Sequence, residues 1–398
     1  MTERFEPTAA RSFAEFGATL KLDDIPRDVI GTATLHLLDT LGCGIAAVGT
    51  GAAEVARGYG LRAAPGAASG LGVSSGIQGA DAALVNGIAC HALDFDDTYP
   101  PAMMHISTVV VPAALAAAEE RRSTGEELLV ALIAGGETTS RISRVAGDAF
   151  HRRGFHPTSI CGVFGATVAV ARLNRLTADQ TTNALGIAGS MASGLMAYLS
   201  DGSSTKQLHP GWAAHSTHIA VQLAQLGATG PTSVLEGRNG LYSAFLGRTD
   251  FKSEDIIGDL SDEWHTLELS IKPYSACHFV HAPLDALREL QADHAFGPDQ
   301  VDRITVFTPK VGAELVANPI ERKIRPATPY ESKFSVPFVL AAWLQEGVVD
   351  TDTFDEPFLS DPGILDVASR VDYEVMQYDT FPASLPGSTR RIVGWWGT

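Results

Sequence analysis

Cysteine is sparse in this chain. Cys43, Cys90, Cys161 and Cys277 are the four, far apart and without a CxxC pair. That spacing suggests neither a zinc knuckle nor a disulfide framework. Charged residues make up only 19% and aromatics 8%, while hydrophobic content is 45%. No basic cluster and no acidic tail stands out, and the net charge of −17 is spread along the chain. This disfavours nucleic acid and anionic membrane as partners, since both need clustered Lys and Arg. The N-terminal MTERFEPTAARSFAEF is polar and lacks the apolar core of a signal peptide. No window reaches the roughly 18 uninterrupted apolar residues of a membrane span. A cytoplasmic protein is expected. No GxGxxG follows a strand, so a dinucleotide fingerprint is missing too.

What the chain does have is concentrated between Asn86 and Pro112, NGIACHALDFDDTYPPAMMHISTVVVP. His91, Asp94, Asp96, Asp97 and His105 fall between two runs of small apolar residues. Ala80 to Ala92 is a predicted helix and Val109 to Ala118 begins another. Loops fixed by rigid helices are where catalytic groups concentrate. An Asp cluster at a helix end also serves as a cap or solvated turn, so the cluster needs company to mean chemistry.

At 398 residues the chain is long enough for two or three cores. Residues 8–20 read as a helix, and Asp23-Asp24-Ile25-Pro26 starts a second that runs into Gly44. Residues 50–78 read as a helix, a turn and a connecting segment. Helices are predicted over 113–120, 125–144, 166–173, 178–194 and 215–226, with close helix approaches around Gly189 to Gly194. Near residue 250 the pattern changes: Val301 to Phe307 alternates like a half-buried strand, Phe334 to Leu344 is helical, and Val371–Met376 and Arg391–Trp395 look like strands around a turn-rich FPASLPGST. The expected class is mainly α: an all-helical domain over 1–250 carrying most site residues, and a smaller α+β domain over 251–398.

Four further islands carry polar chemistry. In Gly154-Phe155-His156-Pro157-Thr158 the histidine has a backbone constrained by the proline. Asp201 to Gly211 holds Lys206 in a polar turn suited to a carboxylate or phosphate. Lys272-Pro273-Tyr274 is followed by Cys277, His278 and His281, and Arg325 precedes Phe334-Ser335-Val336-Pro337-Phe338. Together they supply acids, bases and two or three cations. His91, Asp94, Asp96 and His105 also have the donor types for a metal ion, but no HxxxH pair completes a shell. Asp94-Phe95-Asp96-Asp97-Thr98 spells the DxDDT of class II terpene cyclases, which are much longer and line their pockets with aromatics.

The order LDTLGC, NGxxxHxLDFDDT, His-x-Ser, GFHPT, TKxLHxG, KPY…H and FSxPF resembles the MmgE/PrpD family over roughly residues 10 to 395. That family includes 2-methylcitrate dehydratases, cis-aconitate decarboxylases and iminodisuccinate epimerases. The resemblance implies a helical domain followed by an α+β lid, with the site between them, usually in a homodimer and without metal or organic cofactor. Carried over by motif, Asp94, Thr98, His105, His156, Lys206 and Lys272 are site positions, with one extra residue before His105. Two departures argue against decarboxylase activity: Cys277 stands where the decarboxylases carry a histidine, and Phe338 aligns with their lid tyrosine. Family chains also usually continue past the last lid strand into helices that return to the helical domain, and those helices are expected to be absent here.

The chemistry implied is proton abstraction next to a carboxylate, with lysines neutralising the charge that develops. His105 and His156 are the expected base and acid, in an order left open, and Asp94 is expected to orient one imidazole. Lys206 and Lys272 would grip substrate carboxylates, with Thr98, His281 and Arg325 as further binding groups. The leading expectation is a cofactor-independent dehydratase of a small di- or tricarboxylate. An epimerase of a substituted dicarboxylate, a metal-dependent hydrolase and a non-catalytic carboxylate-binding relative are the alternatives.

Overall fold

A computed structural model describes residues 8–376 and the backbone of Ile392–Val393. The chain divides into two compact units. The first comprises Met1–Ala92, Asp96–Tyr198 and Thr205–Ile271, and the second Leu93–Phe95, Leu199–Ser204 and Lys272–Thr398.

The first unit is built from α1 (Ala9–Thr19), α2 (Arg27–Gly49), α3 (Gly79–His91), α4 (Ser107–Arg121), α5 (Gly125–Arg144), α6 (Pro157–Leu173), α7 (Ala178–Gly189) and α8 (Thr205–Gln225). Local chemistry sets many of their starts. Pro26 precedes α2, and Thr124 and Thr177 form capping boxes with Glu127 and Gln180. Pro157 opens α6 at the position where a missing N–H costs nothing. A short strand, β1 (Pro65–Ala68), bridges to Ile77 within the region read as connecting segment.

Small residues set how closely these helices approach. A Cβ on Gly87 of α3 would lie 2.6 Å from the Gly211 Cα of α8, and one on Gly211 would lie 2.5 Å from the Leu84 carbonyl oxygen. α3 on α8 is one such approach and α5 on α6 another, where a Cβ on Gly135 would lie 2.8 Å from the Gly165 carbonyl oxygen; Gly194 likewise sits against Ser159 of α6. Near Gly189 to Gly194 the helix has already ended at Gly189, and the predicted extension to 194 is a turn. α8 starts ten residues before the predicted His215 and carries Pro210 in its interior, so the segment read as a polar turn is helical from Thr205.

α2 is long and apolar enough to cross a membrane by length and composition. In this fold its buried face carries His36, Thr40 and Cys43, and His36 Nδ1 sits 2.9 Å from Asp97 Oδ2. It is a helix of the folded unit.

Residues 251–271 belong with this unit, not with the second as expected. Phe251 and Ile256 join its core. The buried Glu137 carboxylate accepts from the N–H of His265 (3.0 Å) and Thr266 (2.8 Å) and from the Thr266 hydroxyl (2.6 Å). Arg141 bonds the same Glu137 and donates to the Asp259 carboxylate and the Glu263 carbonyl, both at 2.8 Å. A buried acid and a buried base on α5 thus fasten the segment down.

The second unit centres on β2 (Ile304–Thr308), flanked in parallel by β3 (Val371–Val375) and β4 (Ile392–Val393) in the order β3-β2-β4. Ile304, Val306 and Thr308 are buried and alternate with half-buried neighbours, as the sequence pattern requires. Helices α9 (His281–His294), α10 (Val336–Glu346) and α11 (Pro362–Ala368) accompany the sheet. Of the strand predicted over 391–395, only Ile392–Val393 is described; Arg391, Gly394, Trp395 and the FPASLPGST turn lie outside the described residues.

The α3–α8 contact leaves no space for a methyl group. Gly87→Ala should destabilise the protein by about 1–3 kcal/mol, lowering Tm by about 2–4 °C per kcal/mol, as read by calorimetry. An unchanged Tm would show that the two helices separate freely.

Candidate functional site

In the first unit four imidazoles converge. His91 is the last residue of α3, and the chain then turns through the buried Asp96 and Asp97. Tyr99 N–H donates to the Met104 carbonyl at 2.7 Å, closing a small loop over Pro100–Ala102 that returns His105 to the acids. His156 caps α6 in the extended conformation its following proline requires, and its N–H donates to the Gly194 carbonyl. His209 lies one turn after Lys206 on α8, so both share a helix face. Ring centroids are 4.9 Å apart for His91–His105, 5.9 Å for His91–His156 and 5.2 Å for His156–His209.

Each ring has a different partner at Nδ1. His91 Nδ1 lies 2.7 Å from Asp96 Oδ2. His105 Nδ1 lies 2.7 Å from the Asp97 carbonyl oxygen. That oxygen only accepts, so the His105 proton sits on Nδ1 and the neutral ring keeps its lone pair on Nε2. His156 Nδ1 lies 3.1 Å from His209 Nδ1. Asp97 is shared further, by His36 and by the N–H and hydroxyl of Ser107 at the start of α4.

Burial sets the protonation states. His156 is pushed well below its ordinary value by desolvation, reinforced by the cation of Lys206 and by the neighbouring imidazoles. His209 is lowered to about 4 for the same reasons, desolvation first. His151 is lowered to about 4 by desolvation, with the charge of Lys206 adding to it. His36 goes the other way: although desolvation opposes it, the Asp97 hydrogen bond and charge hold it raised, and Asp97 is correspondingly held low.

In the second unit the buried cluster is cationic. Lys272 Nζ donates to Asp94 Oδ1 at 3.0 Å and to the Asp94 carbonyl at 2.8 Å. Asp94 has φ +51°, a left-handed conformation that Asp tolerates better than most residues. Lys333 Nζ donates to Ser275 Oγ (2.7 Å) and to the Ser275 carbonyl (3.0 Å), and the Ser275 hydroxyl donates to the Leu93 carbonyl. Burial lowers Lys333 to about 7, aided by the charge of Lys272 and opposed by Asp94. His281 donates from Nε2 to the Ala276 carbonyl, and desolvation lowers it to about 3. Its buried Nδ1 has no hydrogen-bond partner among the described residues.

Of the residues singled out from sequence, His105, His156 and Lys206 lie in the first unit's cluster, and Asp94, Lys272 and His281 in the second unit's. The Asp94 carboxylate is hydrogen-bonded to Lys272, and the Asp96 carboxylate lies on His91 Nδ1. Thr98 is buried, bonded through its backbone to Ser270, with Oγ1 unpartnered among the described residues. Arg325 is exposed and follows a short helix, whereas Arg322 is the arginine that pairs with Glu331 at 2.8 Å. Sequence reasoning passed over His209, although it lies in the same TKQLHPG island as Lys206. It also missed Lys333, which follows a plain Tyr-Glu-Ser run with no local sign of burial. Ser74 lies in GVSSG, the spelling of a nucleophile elbow, but is exposed in the turn before α3.

Two family models match the chain: the MmgE/PrpD N-terminal domain over residues 11–254 and the MmgE/PrpD C-terminal domain over residues 274–392. Cis-aconitate decarboxylase of Homo sapiens is 30% identical over 380 residues, covering 91% of this chain and 76% of the human protein. Cis-aconitate decarboxylase of Aspergillus terreus is 27% identical over 399 residues, covering 93% and 80%. The cis-aconitate decarboxylase-like protein oryM of Aspergillus oryzae is 30% identical over 358 residues, covering 84% and 73%.

The buried neutral histidines make stability pH-dependent. His209 and His218, both lowered to about 4 chiefly by desolvation, stay neutral in the fold while the unfolded chain takes up protons below about 6.5. The unfolded state binds more protons in that window, so stability should fall as pH drops from about 6.5 to 4. His218 Nε2 donates to the Ala113 carbonyl. His218→Gln supplies a donor amide without titrating, so denaturant titrations across this window should give a shallower slope. An unchanged slope would remove His218 from the account.

Proposed function

Because this chain belongs to the MmgE/PrpD family, we propose that it is a cofactor-independent lyase of a small di- or tricarboxylate, acting by proton transfer at a carbon next to a carboxylate. The observation that carries the reading is the His105 tautomer. The Asp97 carbonyl holds the proton on Nδ1, so Nε2 is a base without any further rearrangement. His105 is assigned as the base, and His156 as the acid that protonates the leaving group. The His91–Asp96 pair supports the same cluster, and Lys206 supplies a cation beside it for a substrate carboxylate. Lys272, with its Asp94 counter-ion, is the second carboxylate-binding lysine, and Thr98 and His281 are polar groups available for binding.

The finer reading is water elimination from a 2-methylcitrate-like acid. A second reading, decarboxylation, is favoured by the names of the relatives. Against it stand Cys277 and the fully buried Phe338 at positions where a histidine and a tyrosine are expected in decarboxylases. Inversion at the same carbon would need the same two imidazoles. Ring nitrogens of His91, His105 and His156 lie within 4.8 Å of one another and could hold a metal ion. The Lys206 ammonium, whose charge already lowers His156, opposes a second cation there, and the cluster is assigned to proton transfer.

Proton NMR of the protein in D₂O with citrate, 2-methylcitrate, cis-aconitate and substituted succinates tests this. We expect deuterium at the carbon next to a carboxylate and an alkene product, with His105→Ala lowering the rate by about 10²- to 10⁴-fold. Carbon dioxide release would select decarboxylation, exchange with inversion an epimerase, and loss of activity in chelator a metal enzyme. Binding of every acid without exchange would identify a non-catalytic relative.

We also propose a cytoplasmic homodimer. Leu35, Leu38 and Ile45 are exposed on one face of α2, beside the open Gly42. Pairing two such helices antiparallel about Thr40 sets Leu38 against Gly42 and Leu35 against Ile45, a self-complementary arrangement. Light scattering should give twice the chain mass, and Leu38→Glu should give a monomer. A wild-type monomer ends the proposal.

A further inference from the structure

The partner of His156 differs in kind from those of the other imidazoles. A carbonyl fixes the tautomer of His105, and a carboxylate takes the Nδ1 side of His91. His156 faces a second imidazole, which both donates and accepts. Two lone pairs 3.1 Å apart would repel, so one proton must occupy the link. Both rings are buried and driven toward neutrality, so the pair is a neutral one sharing that proton.

We propose that His209 is a positioning residue that lets His156 exchange its acid form for its base form without either ring becoming charged. This rests on the proton-transfer reading above. When His209 donates, His156 carries its other proton on Nε2 and is an acid. When His209 accepts, His156 Nε2 is bare and is a base. In the elimination, His105 Nε2 takes the proton from carbon, the C–H electron pair forms the double bond, and the C–O bond breaks with its electrons on oxygen. His156 Nε2 gives that oxygen its proton. The link proton shifts from His209 Nδ1 to His156 Nδ1, and a solvent proton enters at His209 Nε2. To restore the pair the link proton returns to His209 Nδ1, His209 Nε2 releases its proton to solvent and His156 Nε2 takes one from solvent, while His105 gives the carbon-derived proton to solvent. The groups facing the pair are His91, His105, Lys206 and the ring of Tyr198, 6.4 Å from His156 and 5.9 Å from His209.

The test has a structural and a kinetic arm. In protein labelled with ¹⁵N-histidine, a through-hydrogen-bond ¹⁵N–¹⁵N coupling between the two Nδ1 atoms is expected and should vanish in His209→Leu. The same variant should lose about 10²-fold in kcat, with KM within about twofold and deuterium wash-in at carbon retained, because His105 is untouched. His209→Asn places an amide near the Nδ1 position and keeps a donor for His156 but cannot pass a proton, so the same loss in kcat is expected even if the leucine variant folds poorly. A merely structural His209 would leave His209→Asn at wild-type kcat, and that result, or absence of the coupling in the wild type, overturns the proposal. If no acid is turned over by the wild type, the functional reading fails while the coupling still decides the pair.

Discussion

Two adjacent carboxylates, Asp96 and Asp97, are fully buried in the helical unit, and the geometry of its histidine cluster depends on how they are paired. An ionised carboxylate away from water is costly unless hydrogen-bonded and matched by charge. Asp97 meets that demand with His36 from α2 and with the N–H and hydroxyl of Ser107 at the start of α4. Its own carbonyl takes the His105 ring. Asp96 takes His91 from the end of α3. One dipeptide therefore ties three helices and three imidazoles. Removing one partner of such a buried pair costs about 3–5 kcal/mol, so an error in this loop unfolds the site before it alters the chemistry.

The same logic separates roles among chemically identical side chains. A histidine held by a carbonyl has one neutral tautomer and works in one direction. A histidine held by another histidine has two. The asymmetry between His105 and His156 follows from what sits behind each ring, and it supports assigning base and acid where residue types alone left the order open.

Much of the fold was legible because it is written in period and punctuation. The helix predicted over 125–144 matches α5 residue for residue, with Thr124 and Glu127 forming its capping box. The alternation near 301–307 marked β2. What failed was non-local. Nothing within TKQLHPG says that Pro210 lies inside a helix, since that outcome depends on Gly87 and Gly211 letting α3 and α8 meet. The assignment of 251–271 depends on Glu137 and Arg141, more than a hundred residues upstream. At the site, residue types located the imidazoles and lysines, but not which acid serves which. Asp94 and Asp96 are two positions apart and identical in chemistry, and only the fold gives one to Lys272 and the other to His91.

The second unit answers the opposite electrostatic problem. Lys272 and Lys333 are both buried, and Asp94 is the carboxylate hydrogen-bonded to the first of them. Lys333 is held by the carbonyl and hydroxyl of Ser275 and lies 4.0 Å from the centroid of the Phe354 ring, so dipoles and a π-face stand in for a counter-ion. Its pKa near 7 follows from that incomplete compensation. An added negative charge nearby would raise it, by the same rule that lets an opposite charge favour the ionised form. A unit that keeps one lysine paired and another poised near neutrality is thus electrostatically prepared for an anion, which fits the carboxylate chemistry inferred from the histidines of the helical unit.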